Sequence, residues 1–315
     1  MTGSIRDDAA PRIIARPFQD DDDFWRVRNL LIETYPLTPT DFNWEIRRWD
    51  GRRFHNEHAA LRPRWQETIH LWETEDSRLV GAVHPEGAGE AHLQLHPDYR
   101  HLIEEDMIAW AEAHLATLTG DGRQLHISVF EYDTPRRRLL EQRGYEKTPH
   151  GGMARRLRLG NRPHPQPVMA AGYTLRTTRP SDMGDCQRLA DILNAAFNRD
   201  FHTAAEYWTF ATMSPSFRHD LNLVAEAPDG SFAAHVGVTY DEANRRGIFE
   251  PVCTHPDHQR KGLARALMFE GLHRLKALGA TDVYVGTGDA VAANQLYDAV
   301  GFTEAYKDYI WRKVF

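Results

Sequence analysis

The sequence predicts an α/β fold, α+β in its strand pairing, built as two copies of one domain in tandem. Three observations predict it. A spacer, Gly160-Asn161-Arg162-Pro163-His164-Pro165-Gln166-Pro167, divides the 315 residues nearly in half. Its alternate prolines favour an extended segment with few backbone donors. Short motifs then recur on either side of it. His96-Pro97-Asp98 matches His255-Pro256-Asp257 at an offset of 159, and Leu139-Leu140-Glu141-Gln142-Arg143-Gly144-Tyr145 matches Leu296-Tyr297-Asp298-Ala299-Val300-Gly301-Phe302 at an offset of 157. Near the start of each half an Arg-Pro pair, Arg16-Pro17 or Arg179-Pro180, precedes an acidic turn and an apolar helix pattern. Features in one order at nearly constant spacing mark an internal duplication. The expected divisions are 1–159, a linker at 160–170, and 171–315.

Each copy reads as strand, helix, meander, helix, strand, helix, strand. In the second copy residues 173–176 form a short strand, and Ser181 is placed to cap the following helix. Residues 221–225, 232–240 and 247–254 are strand-like runs. Ala264, Met268, Leu275 and Leu278 share one helical face, with Gly279 as C-cap. Residues 282–285 are β-rich, 290–299 are helical up to Gly301, and 305–315 form a last strand.

Composition narrows the function. A hydrophobic fraction of 41% with 26% charged residues fits a soluble globular chain. No apolar run is long enough for a membrane span, and the first residues lack the pattern of a secretory signal. Two cysteines, Cys186 and Cys253, point to a reducing compartment, and a cytoplasmic location is expected. The formal charge of −7 without a long basic cluster argues against nucleic acid. His55, Glu57 and His58, and the pair His255 and His258, match no zinc-hydrolase spacing; they read as solvated loops, and no metal is expected.

The strongest chemical signal is Gln259-Arg260-Lys261-Gly262-Leu263-Ala264, between a strand and a long helix. Small residues there let backbone N–H groups approach a ligand, and a helix N-terminus adds positive potential, so the loop suits a pyrophosphate with Arg260 and Lys261 beside it. A tight turn before a surface helix would read the same. No Walker or dinucleotide fingerprint is present.

With the run Val252-Cys253-Thr254-His255-Pro256-Asp257-His258 before this loop, and Leu296-Tyr297-Asp298-Ala299-Val300-Gly301-Phe302 after it, the sequence resembles the GNAT acetyltransferases. The resemblance is close over 171–315 and holds in outline over 12–159, so the nearest arrangement is a tandem GNAT protein. It implies two domains, each a mixed, mostly antiparallel twisted sheet flanked by helices, and acetyl-CoA as cosubstrate. It places the cofactor along Val252, Cys253 and Thr254 and over the loop from Gln259 to Ala264, and it makes Tyr297 the acid that protonates the departing thiolate. A phenol of pKa about 10 can do so at little cost; a core aromatic on an amphipathic helix would look alike. The family's asparagine seven residues before the tyrosine is Ala290 here. Asn294, three residues before Tyr297, serves the cofactor instead or is solvated.

An oxyanion donor is expected from a backbone N–H near Val252 or Cys253, on a strand that Pro251 interrupts. Glu250, alternating with Ile248 and Val252, is the candidate general base; a surface carboxylate or a substrate-charge partner is the alternative. Cys253 has no assignable base and reads as a small strand residue. In the first half Ile103, Glu104 and Glu105 fall on Gly262, Leu263 and Ala264, and Leu140 falls on Tyr297, so that half reads as non-catalytic. Six tryptophans lie there. Trp44 and Trp49 sit in an Arg-rich stretch, 41–53, that lines a substrate pocket or belongs to an aromatic core and interface.

The expected function is acetyl transfer from acetyl-CoA to a primary amine of a small molecule by a monomer or homodimer. A protein or peptide N-acetyltransferase, or a non-catalytic acyl-CoA sensor, is the alternative. The presumed acceptor segments, 198–218 and 239–246, carry no signature of the amine.

Overall fold

The computed structural model describes residues 11–55, 64–120, 122–161, 163–179 and 181–315; Glu57, His58, Arg162 and Pro180, named above, lie outside them. The first half runs β1 (Ile13–Pro17), α1 (Asp21–Thr34), α2 (Ile46–Phe54), β2 (His70–Thr74), β3 (Leu79–His84), β4 (Glu90–Leu95), α3 (Arg100–His114), β5 (Thr117–Thr119), β6 (Gly122–Phe130), α4 (Thr134–Gln142), β7 (Glu146–Lys147) and β8 (Met153–Arg158). The second runs β9 (Thr174–Thr177), α5 (Met183–Phe197), α6 (Ala204–Met213), β10 (Asn222–Glu226), β11 (Phe232–Asp241), β12 (Arg246–Thr254), α7 (Leu263–Ala277), β13 (Asp282–Thr287), α8 (Val291–Val300) and β14 (Glu304–Val314).

The repeated motifs have physical reasons. His96 and His255 each accept a hydrogen bond from the backbone two residues on, at 3.3 Å, and so cap a short 3-10 turn that Pro97 or Pro256 opens. Gly144 and Gly301 end α4 and α8 at positive φ, after which Tyr145 and Phe302 turn into the core. The first repeat is shifted from its expected place. Arg16 donates to Asp23 and Glu73, and its counterpart is Arg176, which donates to Asp185 and Glu226. Arg179 only adds to the Asp185 cluster. Asp182, not Ser181, caps α5, accepting from Asp185 N at 3.0 Å.

The halves exchange their last strands. β6 of the first half pairs antiparallel with β14 over Asp308–Val314, and β13 of the second pairs antiparallel with β8 over its whole length. The first residues of β14 also pair with β8, so one mixed, mostly antiparallel sheet runs through the molecule in the order β1-β2-β3-β4-β6-β14-β8-β13-β12-β11-β10-β9. The cores interlock accordingly. Trp311 of β14 is buried among Ile103, Met107 and Leu125, and Phe210 of α6 packs with Phe24 and Trp49. In the second half, α7 and α8 cover one face of the sheet through Leu223, Val236 and Phe249, while α5 and α6 cover the other through Val224 and Cys253.

Candidate active site

β12 and β13 run parallel and pair only over Arg246, Gly247 and Ile248, then diverge. A bulge lies at the divergence. Val252 faces Val236 and Phe249 faces Val238, so Glu250 and Pro251 together oppose Gly237. A Cβ at Gly237 would lie 2.6 Å from the Glu250 carbonyl oxygen, so only glycine fits. The bulge overturns the expected alternation. Phe249 and Val252, three apart, both pack toward α7, and Cys253 packs toward α5. Gly237 was legible only as a glycine inside a strand run.

The gap between the strands is a cleft of about 880 Å³. His255 N donates to Ala233 O on β11. By the alternation of an antiparallel ladder, the backbone of Val252 and Thr254 therefore faces the gap and that of Cys253 does not. This selects Val252 over Cys253 as the candidate oxyanion donor. Beyond β12 the chain turns through Arg260 at φ 64° and Gly262 at φ 75° into α7, whose N-terminus has no side-chain cap. Its first N–H groups are left for a ligand, and Gln259, Arg260 and Lys261 are exposed beside them. This cradle fits the pyrophosphate of a CoA thioester.

α8 carries Tyr297 to the wall of the cleft. Burial, followed by the charge of Glu250, pushes the phenol up to about 12. Burial likewise pushes the Cys253 thiol up to about 12, so Cys253 is a neutral strand residue. Asn294 donates to the carbonyls of Gly288 and Ala290 and accepts from Arg155, fastening the loop before α8. Arg155 comes from the exchanged strand β8 and also donates to Phe302 O at 2.7 Å and to Asp298. The first half's last strand thus holds the helix that presents Tyr297.

Glu250 is half exposed at the same wall, with Arg47 of α2 3.1 Å from its Oε1. Arg47, Arg48 and Arg52 line the cleft from the first half, so the Arg-rich stretch is both pocket wall and interface. A second cavity of about 330 Å³ lies between the halves and shares Arg48, Glu250 and Thr287 with the cleft. Glu45 borders it. Its carboxyl accepts from the backbone N–H groups of Arg47 and Arg48, yet burial, then the nearby Glu250 charge, push it up to about 7. Arg47 and Glu45 carry no sequence motif; only the charge of the stretch hinted at them.

At the matching place in the first half α3 begins at Arg100 with no glycine turn. Glu104 is buried between Arg100 at 2.7 Å and Arg136 at 2.6 Å, and Glu105 pairs separately with Arg143. Arginines pair with both carboxylates, so neither is left as a free charge. Leu140 is fully buried. The histidine motifs also depart from solvated loops. His258 bonds the Tyr173 hydroxyl at 2.8 Å, and His55 is buried against α6.

Residues 186–302 match the acetyltransferase (GNAT) family. Over 278 residues the chain is 29% identical to a mycothiol acetyltransferase of Kineococcus radiotolerans, covering 83% of this chain and 87% of that protein. Its fold is similar to a GCN5-related N-acetyltransferase from Sphaerobacter thermophilus, with TM-score 0.63, 19% identity, and 96% and 95% of the two chains covered. It is also similar to a tandem GNAT protein from the clavulanic acid biosynthesis pathway, with TM-score 0.67, 16% identity, and coverages of 96% and 98%.

Proposed function

Since the chain is a tandem GNAT protein and an N-acetyltransferase that uses acetyl-CoA, we propose that its acceptor is the primary amine of a small molecule and that one site, in the second half, does the chemistry. The observation that carries this reading is the cleft itself. It opens where β12 and β13 part, and Arg47, Arg48 and Arg52 of α2 line it from the other half, so both halves border the space an acceptor would enter. Among the described residues no helix is long and apolar enough to cross a membrane.

In this reading the α7 N-terminus with Arg260 and Lys261 holds the pyrophosphate. The backbone of Val252 takes the developing oxyanion. Glu250, directly or through water, accepts the proton that the amine loses as its nitrogen bonds the acetyl carbon. As the carbon–sulfur bond breaks, the Tyr297 hydroxyl gives its proton to the sulfur. A phenol near 12 is a weaker acid than an exposed one, but a thiolate formed against the same buried wall is destabilised alike, as Cys253 illustrates.

A free-thiol release assay with acetyl-CoA against polyamines, aminoglycosides, amino acids and peptides tests the reading. Turnover confined to small amines is expected. Turnover on peptides would move the acceptor class, and CoA binding without turnover on any amine would make the chain a sensor. Glu250→Gln is expected to lower kcat by about 10²-fold, in the range of general base catalysis, and to abolish the acid limb of the pH profile; a change confined to the acceptor KM would make Glu250 a binding residue.

A further inference from the structure

Beside the cleft, but apart from Glu250 and Tyr297, three side chains from both halves converge. His55 closes α2 of the first half; His202 precedes α6 of the second, and Glu206 lies one turn further on. One ligand atom from each lies within 4.8 Å of the others. Their side chains are 8%, 3% and 11% exposed. His55 Nε2 is 3.1 Å from Glu206 Oε1, and His202 Nδ1 is 3.6 Å from Glu206 Oε2. Ligands at about 2.0–2.1 Å from one tetrahedral ion stand about 3.4 Å apart, and each imidazole nitrogen stands near that distance from one of the two Glu206 oxygens.

Direction adds to distance. At 3.1 Å neither His55 Nε2 nor Glu206 Oε1 makes a hydrogen bond. An ion held between them would give both buried atoms a partner. Supporting contacts fix each ligand. The His55 ring stacks on Phe210 with centroids 4.8 Å apart. Asn194 bonds both the backbone N–H and the carbonyl of His202. Glu206 Oε2 accepts from Thr203 N at 3.3 Å.

We propose that His55, His202 and Glu206 bind a divalent transition-metal ion, zinc by its two-imidazole, one-carboxylate donor set, as a clamp between the two halves. Both histidines line the cleft, so the ion's remaining position faces it and takes water. Among the described residues, one contact of His202 opposes binding. Arg199 Nη1 lies 3.5 Å from His202 Nε2. A metal on Nδ1 puts the ring proton on Nε2, so this exposed arginine must turn away.

The test is zinc titration of the full, chelator-stripped chain against a chromophoric competitor, with cobalt absorption as a second readout. One ion per chain is expected. Losing a second-shell partner weakens metal sites by about 10–100-fold, so His55→Ala, His55→Gln and Glu206→Gln, removing ligands, should each weaken binding by about 100-fold or more. Arg199→Ala, at an exposed position, should tighten it several-fold, and the exposed His150→Ala should leave it unchanged. Circular dichroism separates unfolding from ligand loss. Absence of bound zinc, or binding indifferent to both His55→Gln and Arg199→Ala, would overturn the proposal.

Discussion

At Tyr297 the helix delivers a phenol whose surroundings favour the protonated form, and the role proposed for it is to part with that proton. Tyr297→Phe keeps the packing against Phe302 and removes the hydroxyl. It should lower kcat by about 10²-fold with little change in acetyl-CoA affinity; an unchanged kcat, with chemistry shown to be rate-limiting, would remove Tyr297 from the mechanism. Glu45 makes a different prediction, about stability. Folding raises its pKa from an ordinary 4.5 to about 7, so the folded state favours the protonated carboxyl. That contribution is complete below about 4.5 and is lost as pH rises through about 7. Glu45→Gln should therefore flatten the fall in stability between those pH values, an effect of a few kcal/mol at most given about 1.4 kcal/mol per unit. Urea midpoints measured at several pH values would show it, and an unchanged slope would refute it. Tyr297 was readable in the sequence because a local motif marks it. Glu45 and Arg47 were not, because what matters about them is a neighbour some two hundred residues away.

Elements that end early or break step shape the site. β12 supplies a bulge, α7 an uncapped N-terminus, and Gly262 the positive φ that joins them. A Cβ at Gly262 would meet nothing nearer than Arg265 at 3.9 Å, so the glycine serves backbone conformation rather than space. Gly262→Glu combines backbone strain with a carboxylate at the phosphate cradle and should abolish acetyl-CoA binding. In the first half the internal Arg100–Glu104–Arg136 cluster fills the equivalent place, so Ile103→Gly should create no second site. Calorimetric titration should give one acetyl-CoA per chain; two sites of similar affinity would show that the first half binds as well. The glycine loop was legible from strand and helix periodicity on either side. The bulge was not, because strict alternation is the default reading of a strand and only the register against β11 reveals the extra residue.

For the whole molecule, the duplication was readable and the exchange of strands was not. Repeats at near-constant offset reveal two copies, but β8 and β14 have the same local pattern whichever sheet receives them. Arg155 and Trp311 show what each strand takes across: one fastens the helix bearing Tyr297, the other completes the first core. Residues 1–159 and 171–315 made separately should each lack a strand and fail to fold, whereas co-expression should restore one cooperative complex with acetyltransferase activity. Gel filtration and circular dichroism of the halves alone and together would decide it; a folded, monomeric second half with full activity would contradict it. The exchange also bears on how the polypeptide is born. β6 leaves the ribosome's exit tunnel long before β14, its partner over Asp308–Val314. At about 5–20 residues per second the edge of β6 waits roughly 10–40 s for that partner. During that interval a nine-residue strand carrying Leu125, Ile127 and Val129 stands unpaired on that side, where another nascent copy can dock. Translation speed between the codons of β6 and those of β14, and chaperones that shield strand edges, thus become determinants of yield for this protein.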